Sequence, residues 1–295
     1  MKPLLLINNG DRSHASERLE QQLAELFDKR LEHWAIKRTH SLEECRSLVK
    51  GAEQGGFDTV LAGGGDGTLN VVLNASRGTQ LALGVLPLGT VNCFVRSVGL
   101  SLDPFTACGQ LIEGMTRPLS VGRLNEHWFI CFASIGFDAA VVHGCNLKLK
   151  RWLKIGAFAI AGLQEFFALR GMRPFRISGV NGSDRAHSLM ISKISYYGGI
   201  QIFPKARPDL SVAETFALKR RSRFDLLRML LFSHSYSRDK RPLPPSIERF
   251  SFDNMLLEAE QPLFAQIDGE LLSLTDPKRL EFEIIPEAIQ FRLPN

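Results

Sequence analysis

The first third of the chain alternates short apolar runs with stretches in which apolar residues recur every three or four positions. Lys2 to Ile7 is an apolar run, and from Ser16 to Leu31 leucines and a phenylalanine recur at the spacing of one helical face. Later runs at 33–38, 58–62 and 81–86 predict strands, and the stretches 41–54 and 68–75 predict helices. This alternation predicts a parallel sheet covered by helices on both faces.

The pattern changes after Gly122, where strand-like runs occur in pairs. The paired runs are 121–124 with 128–134, and 175–180 with 188–195. Asn181-Gly182 joins the second pair, and Asn-Gly between alternating runs is the strongest short-range hairpin signal. A helical stretch at 148–170 interrupts the strands, and β-like runs resume at 250–258, 263–267 and 280–285. We therefore predict an antiparallel sandwich or curled sheet, with a domain boundary near residue 120.

The composition is that of an ordinary soluble globular protein. The 295 residues include 36 Lys and Arg against 31 Asp and Glu, a formal net charge of +5. The five cysteines form no C-x-x-C pair, so the sequence indicates neither a disulfide framework nor a structural zinc site. The most apolar run, Ile155 to Leu163, is about half of the roughly 18 residues needed to cross a bilayer. We expect a reduced, cytoplasmic protein.

A glycine-rich loop between a predicted strand and a predicted helix is the most informative stretch. It consists of Gly63, Gly64, Gly65, Asp66, Gly67 and Thr68. Positions without side chains let backbone N–H groups surround a phosphate at a helix N-terminus. Asp66 would repel that phosphate unless a divalent cation lies between them, so the loop indicates a nucleotide with Mg²⁺. The alternative is a tight β-α turn with structural glycines.

A second loop, Leu86 to Asn92, repeats the order of strand, glycine turn and polar helix start. In a parallel sheet it lies at the same carboxyl edge as the first loop, where ligands bind. Thr90 and Asn92 are therefore candidates for hydrogen bonds to phosphate or ribose. Helix capping by Thr90 is the alternative interpretation.

Two carboxylates, Asp268 and Glu270, flank a turn glycine at the end of a β-like run. Phosphoryl transfer to an alcohol needs a carboxylate that accepts or orients the hydroxyl proton, and a second acid can help to hold metal. A solvated hairpin turn explains the same residues without chemistry.

Five motifs in this order and spacing resemble the diacylglycerol kinase catalytic-domain family, and within it the bacterial YegS-like lipid kinases. The resemblance covers nearly the whole chain. The motifs are the glycine loop 63–68, Leu86 to Asn92, Gly136 to Ala139, Tyr196 to Gly199 and Ile267 to Glu270.

The resemblance implies two domains with the active site in the cleft between them. Residues 1–120, completed by the tail 284–295, would form a Rossmann-like three-layer α/β nucleotide-binding domain. Residues 121–283 would form an antiparallel β-sandwich. The implied activity is transfer of the γ-phosphate of ATP to a hydroxyl of a membrane lipid, diacylglycerol- or phosphatidylglycerol-like.

The resemblance also implies roles for single residues. The glycine loop would hold the triphosphate, Thr39 and Thr90 would contact the nucleotide, and Asp268 would be the general base. Asn8 lies where the family has an asparagine in its first loop, although the residues that follow it differ.

Three acids that the family commonly has are replaced in this chain. Cys93, Ser120 and Leu210 stand where relatives have acidic residues of a structural metal network. We predict that this second Mg²⁺ site is absent or weak, with Asp209 and Glu214 as the nearest acids.

The segment 219–241 carries eight Lys or Arg residues against two Asp residues, a net charge of +6, around several apolar residues. Basic flanks around an amphipathic stretch suit an anionic membrane surface. Lys148, Lys150, Arg151 and Lys154 beside Trp152 form a second candidate patch. An ordinary surface helix packed on the core is the alternative. Nucleic acid is a poorer partner because no recognised nucleic-acid module accompanies the charge.

Taken together, the residues and the resemblance predict a lipid kinase that works from the cytoplasm as a peripheral protein on the inner face of the membrane. A non-catalytic nucleotide- or lipid-binding regulator is the alternative from another class, and an NAD kinase is the alternative enzyme. A homodimer is left open, and so is the identity of the lipid.

Overall fold

The computed structural model describes residues 1–8, 17–144, 155–181, 184–229 and 242–295. Within it the chain forms two compact units. Unit 1 comprises residues 1–121 and 286–295, and unit 2 comprises residues 122–285. The predicted fold class is confirmed: unit 1 has a parallel sheet with helices, and unit 2 has antiparallel sheets.

The sheet of unit 1 has the order β2-β1-β3-β4, with the C-terminal strand β18 added beside β4, and all these pairs are parallel. Strands β3 and β4 are buried along their whole length, as strands covered on both faces are. The strands are β1 Pro3–Asn8, β2 Ala35–Thr39, β3 Thr59–Gly64, β4 Ala82–Pro87 and β18 Arg279–Leu293. The helices are α1 Glu17–Arg30, α2 Leu42–Lys50, α3 Asp66–Ala75, α4 Cys93–Ser97 and α5 Pro104–Glu113.

The helix α2 begins after Ser41, at the start of the predicted helical stretch 41–54. The hydroxyl of Ser41 accepts a hydrogen bond from the backbone N–H of Glu44 at 3.1 Å. The carboxylate of Glu44 in turn accepts from the backbone N–H of His40 at 2.7 Å, one residue before the N-cap. The reciprocal bonds satisfy N–H groups that the first helical turn leaves unpaired.

The last residues of the chain complete unit 1. Gln290 and Phe291 pair with Ala82 and Leu83 of β4 in parallel register. The ring of Phe291 is fully buried, and its centroid lies 4.9 Å from that of Phe94. The Arg292 guanidinium donates to two carbonyls at the end of α5, those of Leu111 at 2.8 Å and Ile112 at 3.0 Å.

Unit 2 is a β-sandwich. One sheet has the order β14-β13-β10-β7-β16-β17, and in the other β18 pairs with β15, β15 with β8 and β8 with β9. Apolar side chains from the two sheets, such as Ile191 from the first and Leu257 and Phe282 from the second, share one core. Strand β5, Met115–Leu124, begins in unit 1 and ends in unit 2. The further strands are β6 His127–Phe129, β7 Phe132–Ile135, β8 Phe175–Ser178, β9 Arg185–Ala186, β10 Ser188–Ser192, β11 Tyr196–Tyr197, β12 Ile200–Gln201, β13 Ala213–Leu218, β14 Ile247–Phe252, β15 Asn254–Glu258, β16 Ala265–Ile267 and β17 Glu270–Leu271.

The helices of unit 2 differ from the sequence-based expectation. Helix α6, Phe137–Gly144, was not predicted, because its short sequence has no clear helical period. Helix α7, Ile155–Ala168, covers the later part of the predicted 148–170 stretch. A third helix, α8, spans 223–229 and buries Leu226 and Met229. Residues 148–154, with the second basic patch, and Gly182 of the predicted hairpin turn lie outside the described residues.

Helix α7 is the most apolar helix that the structure describes. Its 14 residues are fewer than the roughly 20 that a membrane-spanning helix needs. None of the helices in the described ranges combines the length and the hydropathy required to cross a bilayer.

The contribution of the C-terminal strand to unit 1 can be measured with Phe291→Ala. Removal of a fully buried ring is expected to lower the free energy of unfolding by about 3–5 kcal/mol, because it leaves a cavity beside Phe94. Urea unfolding of the variant and the wild type measures this difference. The exposed neighbour Gln290→Ala is the control, with an expected change within about 0.5 kcal/mol. Equal unfolding of Phe291→Ala and wild type would contradict a structural role for this strand.

Candidate functional site

The predicted nucleotide-binding residues of unit 1 lie at one edge of its sheet. Asn8 is in register with Thr39, Ile7 with Gly63, and Gly64 with Pro87. The strands are parallel, so these positions are all at the carboxyl ends. The glycine loop and the 88–92 segment leave the sheet at this edge, where ligands of open α/β sheets bind.

Two of the predicted polar residues are engaged within this edge. The side-chain amide of Asn8 donates to the hydroxyl oxygen of Thr68 at 3.2 Å. Thr39 is buried, and its hydroxyl lies 3.5 Å from the carbonyl oxygen of Ile7. These bonds connect β1 with β2 and with the start of α3. The predicted contacts of Asn8 and Thr39 with a nucleotide stay predictions.

The two glycine loops approach each other so closely that side chains are excluded. A Cβ atom on Gly89 would lie 2.4 Å from the Cα of Gly65, and one on Gly64 would lie 2.3 Å from the hydroxyl oxygen of Thr68. Glycine is therefore required here by packing. The structural interpretation of these glycines and the phosphate-binding interpretation are compatible, because bare backbone serves both.

Asp66 connects the first loop to the helix that follows the second. Its carboxylate accepts hydrogen bonds from the backbone N–H groups of Cys93 at 2.9 Å and of Phe94 at 3.0 Å. Asn92, the residue before α4, has a left-handed backbone with φ 52° and makes no capping bond with its side chain. Asp66 thus caps a helix distant in sequence, a role that sequence reasoning missed. Its predicted place beside Mg²⁺ stays a prediction.

Asn92 places a buried amide oxygen at the junction of the loops. Its side chain is 7 % exposed, and the amide nitrogen donates to the carbonyl of Gly89 at 3.0 Å. The amide oxygen is buried without a hydrogen-bond partner among the described residues. Buried polar atoms are normally satisfied, so this oxygen is available to a bound ligand or cation. Thr90, two residues earlier, is exposed.

In unit 2 the candidate base Asp268 is a buried carboxylate held by the backbone. One carboxylate oxygen accepts from the N–H groups of Cys131 at 3.1 Å and Phe132 at 2.8 Å. The other accepts from the N–H of Ile130 at 3.2 Å. The residue is 6 % exposed and has a left-handed backbone, with φ 47°. The three donors fix the orientation of the side chain.

Glu270 differs from Asp268 in its surroundings. It is exposed and begins β17, which pairs with β16 through Ile267. The turn between the two acids is closed by the backbone N–H of Gly269, which donates to the side-chain oxygen of Gln266 at 2.9 Å. The hairpin thus presents one anchored carboxylate and one exposed carboxylate.

A hydrogen-bond network centred on Asp138 connects two of the quoted motifs, 136–139 and 196–199, with Gln266 beside a third. One carboxylate oxygen accepts from the hydroxyl of Tyr197 at 2.5 Å. The other accepts from the hydroxyl of Ser134 at 2.5 Å and from the amide of Gln266 at 2.9 Å. Sequence reasoning quoted the motifs that contain Asp138 and Tyr197 without giving either residue a role. The signal that the sequence offered for these two residues was their place in motifs that carry the resemblance to the family.

None of the residues at the positions of the three replaced acids carries a carboxylate. Cys93 and Ser120 are buried, and Leu210 is partly exposed. Over the described ranges, no group of three or more His, Cys, Asp or Glu side chains is arranged to hold a metal ion.

The two acids nearest to Leu210 are already engaged. Hydrogen bonds from the Arg207 guanidinium hold the pKa of Asp209 below its usual value. Burial raises the pKa of Glu214, whose carboxylate accepts from the backbone N–H of Lys205 at 2.9 Å. The guanidinium of Arg249 lies 3.8 Å from its other oxygen.

Comparison with known families gives two matches. Residues 2–124 match the family described as Diacylglycerol kinase catalytic domain. Residues 131–292 match the one described as YegS C-terminal NAD kinase beta sandwich-like domain. Together these matches cover most of the chain.

Comparison with individual proteins gives the same result. A probable lipid kinase YegS-like from Klebsiella pneumoniae is 32% identical over 253 residues, which are 84% of this chain and 82% of that protein. One from Shewanella frigidimarina is 30% identical over 247 residues, 80% of this chain and 76% of that protein. The crystal structure of a putative diacylglycerol kinase from Bacillus anthracis superimposes with a TM-score of 0.75 at 20% identity, covering 99% and 96% of the two chains, and shows the same fold. With two matched domains and relatives of this similarity along most of its length, the chain belongs to the YegS-like lipid kinase family.

Proposed function

We propose that this protein is a lipid kinase that transfers the γ-phosphate of ATP to a hydroxyl of a membrane lipid of the diacylglycerol or phosphatidylglycerol type. The observation that carries the proposal is the glycine-lined junction of two loops at the carboxyl edge of the parallel sheet. Membership of the family supports a kinase. The names of the relatives support a lipid acceptor and include diacylglycerol.

The junction suits a triphosphate for electrostatic reasons. Helix α3 begins directly after Gly65, and no side chain caps its N-terminus. The positive end of the helix dipole and the N–H groups of its first turn favour an anion. Thr90 is exposed, follows Gly89 of the junction and is proposed to contact the nucleotide.

Magnesium would neutralise charge on the phosphates when bound with the nucleotide. The oxygen atoms that fit such an ion are the buried side-chain oxygen of Asn92 and the carboxylate of Asp66. Asp66 itself keeps α4 against the glycine loop, and this fixes the loop before any ligand arrives.

For the proton of the lipid hydroxyl, the two carboxylates of the 266–271 hairpin are the candidates. The sequence singled out Asp268 as the base. Three backbone N–H groups already donate to its carboxylate, which favours a positioning role. The exposed carboxylate of Glu270 is the better placed of the two to accept a proton from a substrate.

The kinase proposal is tested by incubating the protein with labelled ATP, Mg²⁺ and a mixed lipid extract in detergent micelles. Wild type should produce a labelled lipid, which chromatography separates and identifies. Label on added NAD in place of a lipid would make the protein an NAD kinase. ATP binding without any labelled product would refute the proposal in favour of a regulator.

The same assay separates the roles of the two carboxylates. Glu270→Gln should lower kcat by about a hundredfold or more with an unchanged melting temperature, because it removes only a proton acceptor. Asp268→Asn should also lose activity. It should in addition lose about 1–3 kcal/mol of stability, because the amide nitrogen cannot accept the backbone hydrogen bonds. Thermal melting measures the second effect.

The exposed acid Glu260, also in unit 2, provides the matched control as Glu260→Gln. It should leave both activity and melting temperature unchanged. An active Glu270→Gln together with an inactive but fully stable Asp268→Asn would return the role of base to Asp268.

The nucleotide site is tested with Gly89→Ala. The added Cβ would force apart the two loops, and about 1–3 kcal/mol of strain should weaken ATP binding by roughly tenfold or more. Titration calorimetry with ATP measures the affinity. Gly109→Ala, a position with open space around the added Cβ, is the control and should bind ATP as wild type does. Wild-type affinity of Gly89→Ala would exclude this junction as the nucleotide site.

We also propose that part of unit 2 contacts an anionic membrane surface. Leu163 and Phe167 of α7 and Phe224 and Leu227 of α8 are exposed. The two helices are held together, because the guanidinium of Arg223 donates to the carbonyl of Phe166 at 3.2 Å and also to that of Phe167. Such apolar side chains among arginines suit the boundary between anionic headgroups and acyl chains.

The described part of the basic segment, 219–229, has its charge beside these apolar side chains. The guanidinium carbon of Arg228 lies 4.4 Å from the ring centroid of Phe224. Arg221 donates to the carbonyl of Leu169 at 3.2 Å, at the end of α7. Residues 230–241 of the segment lie outside the described residues.

Sedimentation with lipid vesicles tests the membrane contact. Phe224→Ser should reduce binding to vesicles that contain phosphatidylglycerol by about tenfold, since burial of an aromatic side chain contributes about 1.5–3 kcal/mol. Neutral phosphatidylcholine vesicles should bind both proteins weakly. Phe105→Ser changes an exposed phenylalanine of α5 in unit 1 and should bind as wild type does. Equal binding of the two variants would contradict this surface.

A further inference from the structure

Lys193 is a lysine whose whole side chain is buried. It lies between β10 and β11, has no exposed surface and ranks among the largest fully buried side chains. Its ammonium donates to two backbone carbonyls, those of Leu210 and, at 3.0 Å, Val212. A buried charge is stable only when it is paired or hydrogen-bonded in this way. The two carbonyls therefore form a cation site that a side chain of the protein fills.

The segment 209–212 that receives this ammonium is one of the places where the chain departs from its relatives. Leu210-Ser211 stands where the resemblance expects Asp-Gly of a structural metal network. Backbone carbonyls are ligands that divalent cations also use, but carboxylates complete such sites. Here the apolar side chain of Leu210 supplies none, and Asp209 is paired with Arg207. A metal ion therefore does not fit this segment, and the ammonium occupies the carbonyl oxygens.

The backbone of Lys193 leads directly to the candidate active site. Its N–H donates to the carbonyl of Cys131 at 2.9 Å. The N–H of Cys131 in turn donates to the carboxylate of Asp268 at 3.1 Å. The 210–212 carbonyls are thus connected to the acidic hairpin by hydrogen bonds of Lys193 and Cys131, joined through the covalent bonds of these two residues.

We propose that the ammonium of Lys193 is the resident cation of this segment, in place of the metal ion that the resemblance implies here, and that it positions the Asp268 hairpin for phosphoryl transfer. Lys193 is in this sense a positioning residue, and its catalytic consequence rests on the proposed kinase function. On this proposal the 209–212 segment needs no metal ion, because a side chain of the protein supplies the cation.

The protonation state is consistent with this role. Burial lowers the pKa of Lys193 to about 8, and the nearby carboxylate of Asp209 acts in the opposite direction. At neutral pH the ammonium form therefore predominates. The ammonium has three N–H donors and can therefore bind both carbonyls at once.

Limited proteolysis without nucleotide gives a local readout that does not depend on kinase activity. Lys205, followed by Ala206, is an exposed trypsin site shortly before the 209–212 segment, whereas the bond after Arg207 precedes Pro208 and resists trypsin. Wild type should be cleaved after Lys205 at the same slow rate in EDTA and in Mg²⁺ or Ca²⁺. Lys193→Met, which keeps the length of the side chain and removes the charge, should be cleaved about tenfold faster in both, since the segment opens more often.

Two further variants make the test specific for a cation. Lys193→Arg should keep wild-type resistance, because a guanidinium also donates to carbonyls. The double variant Lys193→Ala with Leu210→Asp should be cleaved rapidly in EDTA and regain resistance in Mg²⁺ or Ca²⁺. The exposed Lys278→Met in the same unit is the control and should behave as wild type does.

Three outcomes would overturn the proposal. One is faster cleavage or a lower melting temperature of wild type in EDTA, because a metal ion would then hold the segment. The second is an unchanged cleavage rate for Lys193→Met. The third is a double variant that does not respond to metal. If Lys193→Met does not fold, the proposal is tested by the tryptic cleavage rates of wild type in EDTA and of Lys193→Arg.

The kinase assay adds the link to catalysis. Lys193→Met should have a lower kcat with an unchanged KM for ATP, because the proposed nucleotide site lies in unit 1, and Lys193→Arg should restore kcat. An unchanged kcat would contradict the positioning role. Proteolysis and melting report on the cation whether or not the protein is a lipid kinase, so the two proposals can fail separately.

Discussion

Carboxylates that accept backbone N–H groups hold both candidate sites together. Asp66 in unit 1 receives the N–H groups at the start of α4, and Asp268 in unit 2 receives those of residues 130–132. Hydrogen bonds to an ionised acceptor are the strong ones in proteins, and a buried loop that loses such an acceptor leaves several donors unsatisfied. In each unit, the acid that the sequence indicates as a candidate for metal binding or catalysis therefore also holds the surrounding backbone in place. The geometry of the surrounding loops depends on its charge.

One residue can serve both packing and chemistry, and the same holds for the glycine loop. Its interpretation as a tight structural turn and its interpretation as a phosphate-binding loop are therefore compatible. The backbone at Gly65 and Gly89 is bare because the loops touch, and the same bareness leaves room for a phosphate. A pre-formed junction loses little conformational entropy when a ligand binds. The close packing of the loops thus forms the site before a ligand binds. Stability and phosphate binding both favour glycine at these positions.

The sequence predicted the main architecture well, because its signals are local. The β-α repeat, the capping box at Ser41 and the change of pattern after Gly122 each depend on neighbouring residues. The contacts within the site are different, since Asp66 reaches Cys93 and Asp138 reaches Tyr197 and Gln266 across long stretches of chain. Such pairs have no spacing rule, and only the fold reveals them. Lys193 is the extreme case, because a lone lysine after a strand predicts a surface position.

The division of β18 between the two units has a consequence for protein synthesis. Residues 254–258 pair with its first part, while Gln290 and Phe291 pair with β4 of unit 1. On the ribosome, residues 1–121 emerge first, but the strand that covers the open side of β4 is made only after all of unit 2. Until then β4 has an unpaired edge, the kind of surface that templates wrong pairing. The earliest part of the chain to be translated is thus the last to be finished, and the nascent protein must protect this edge throughout the synthesis of its second unit.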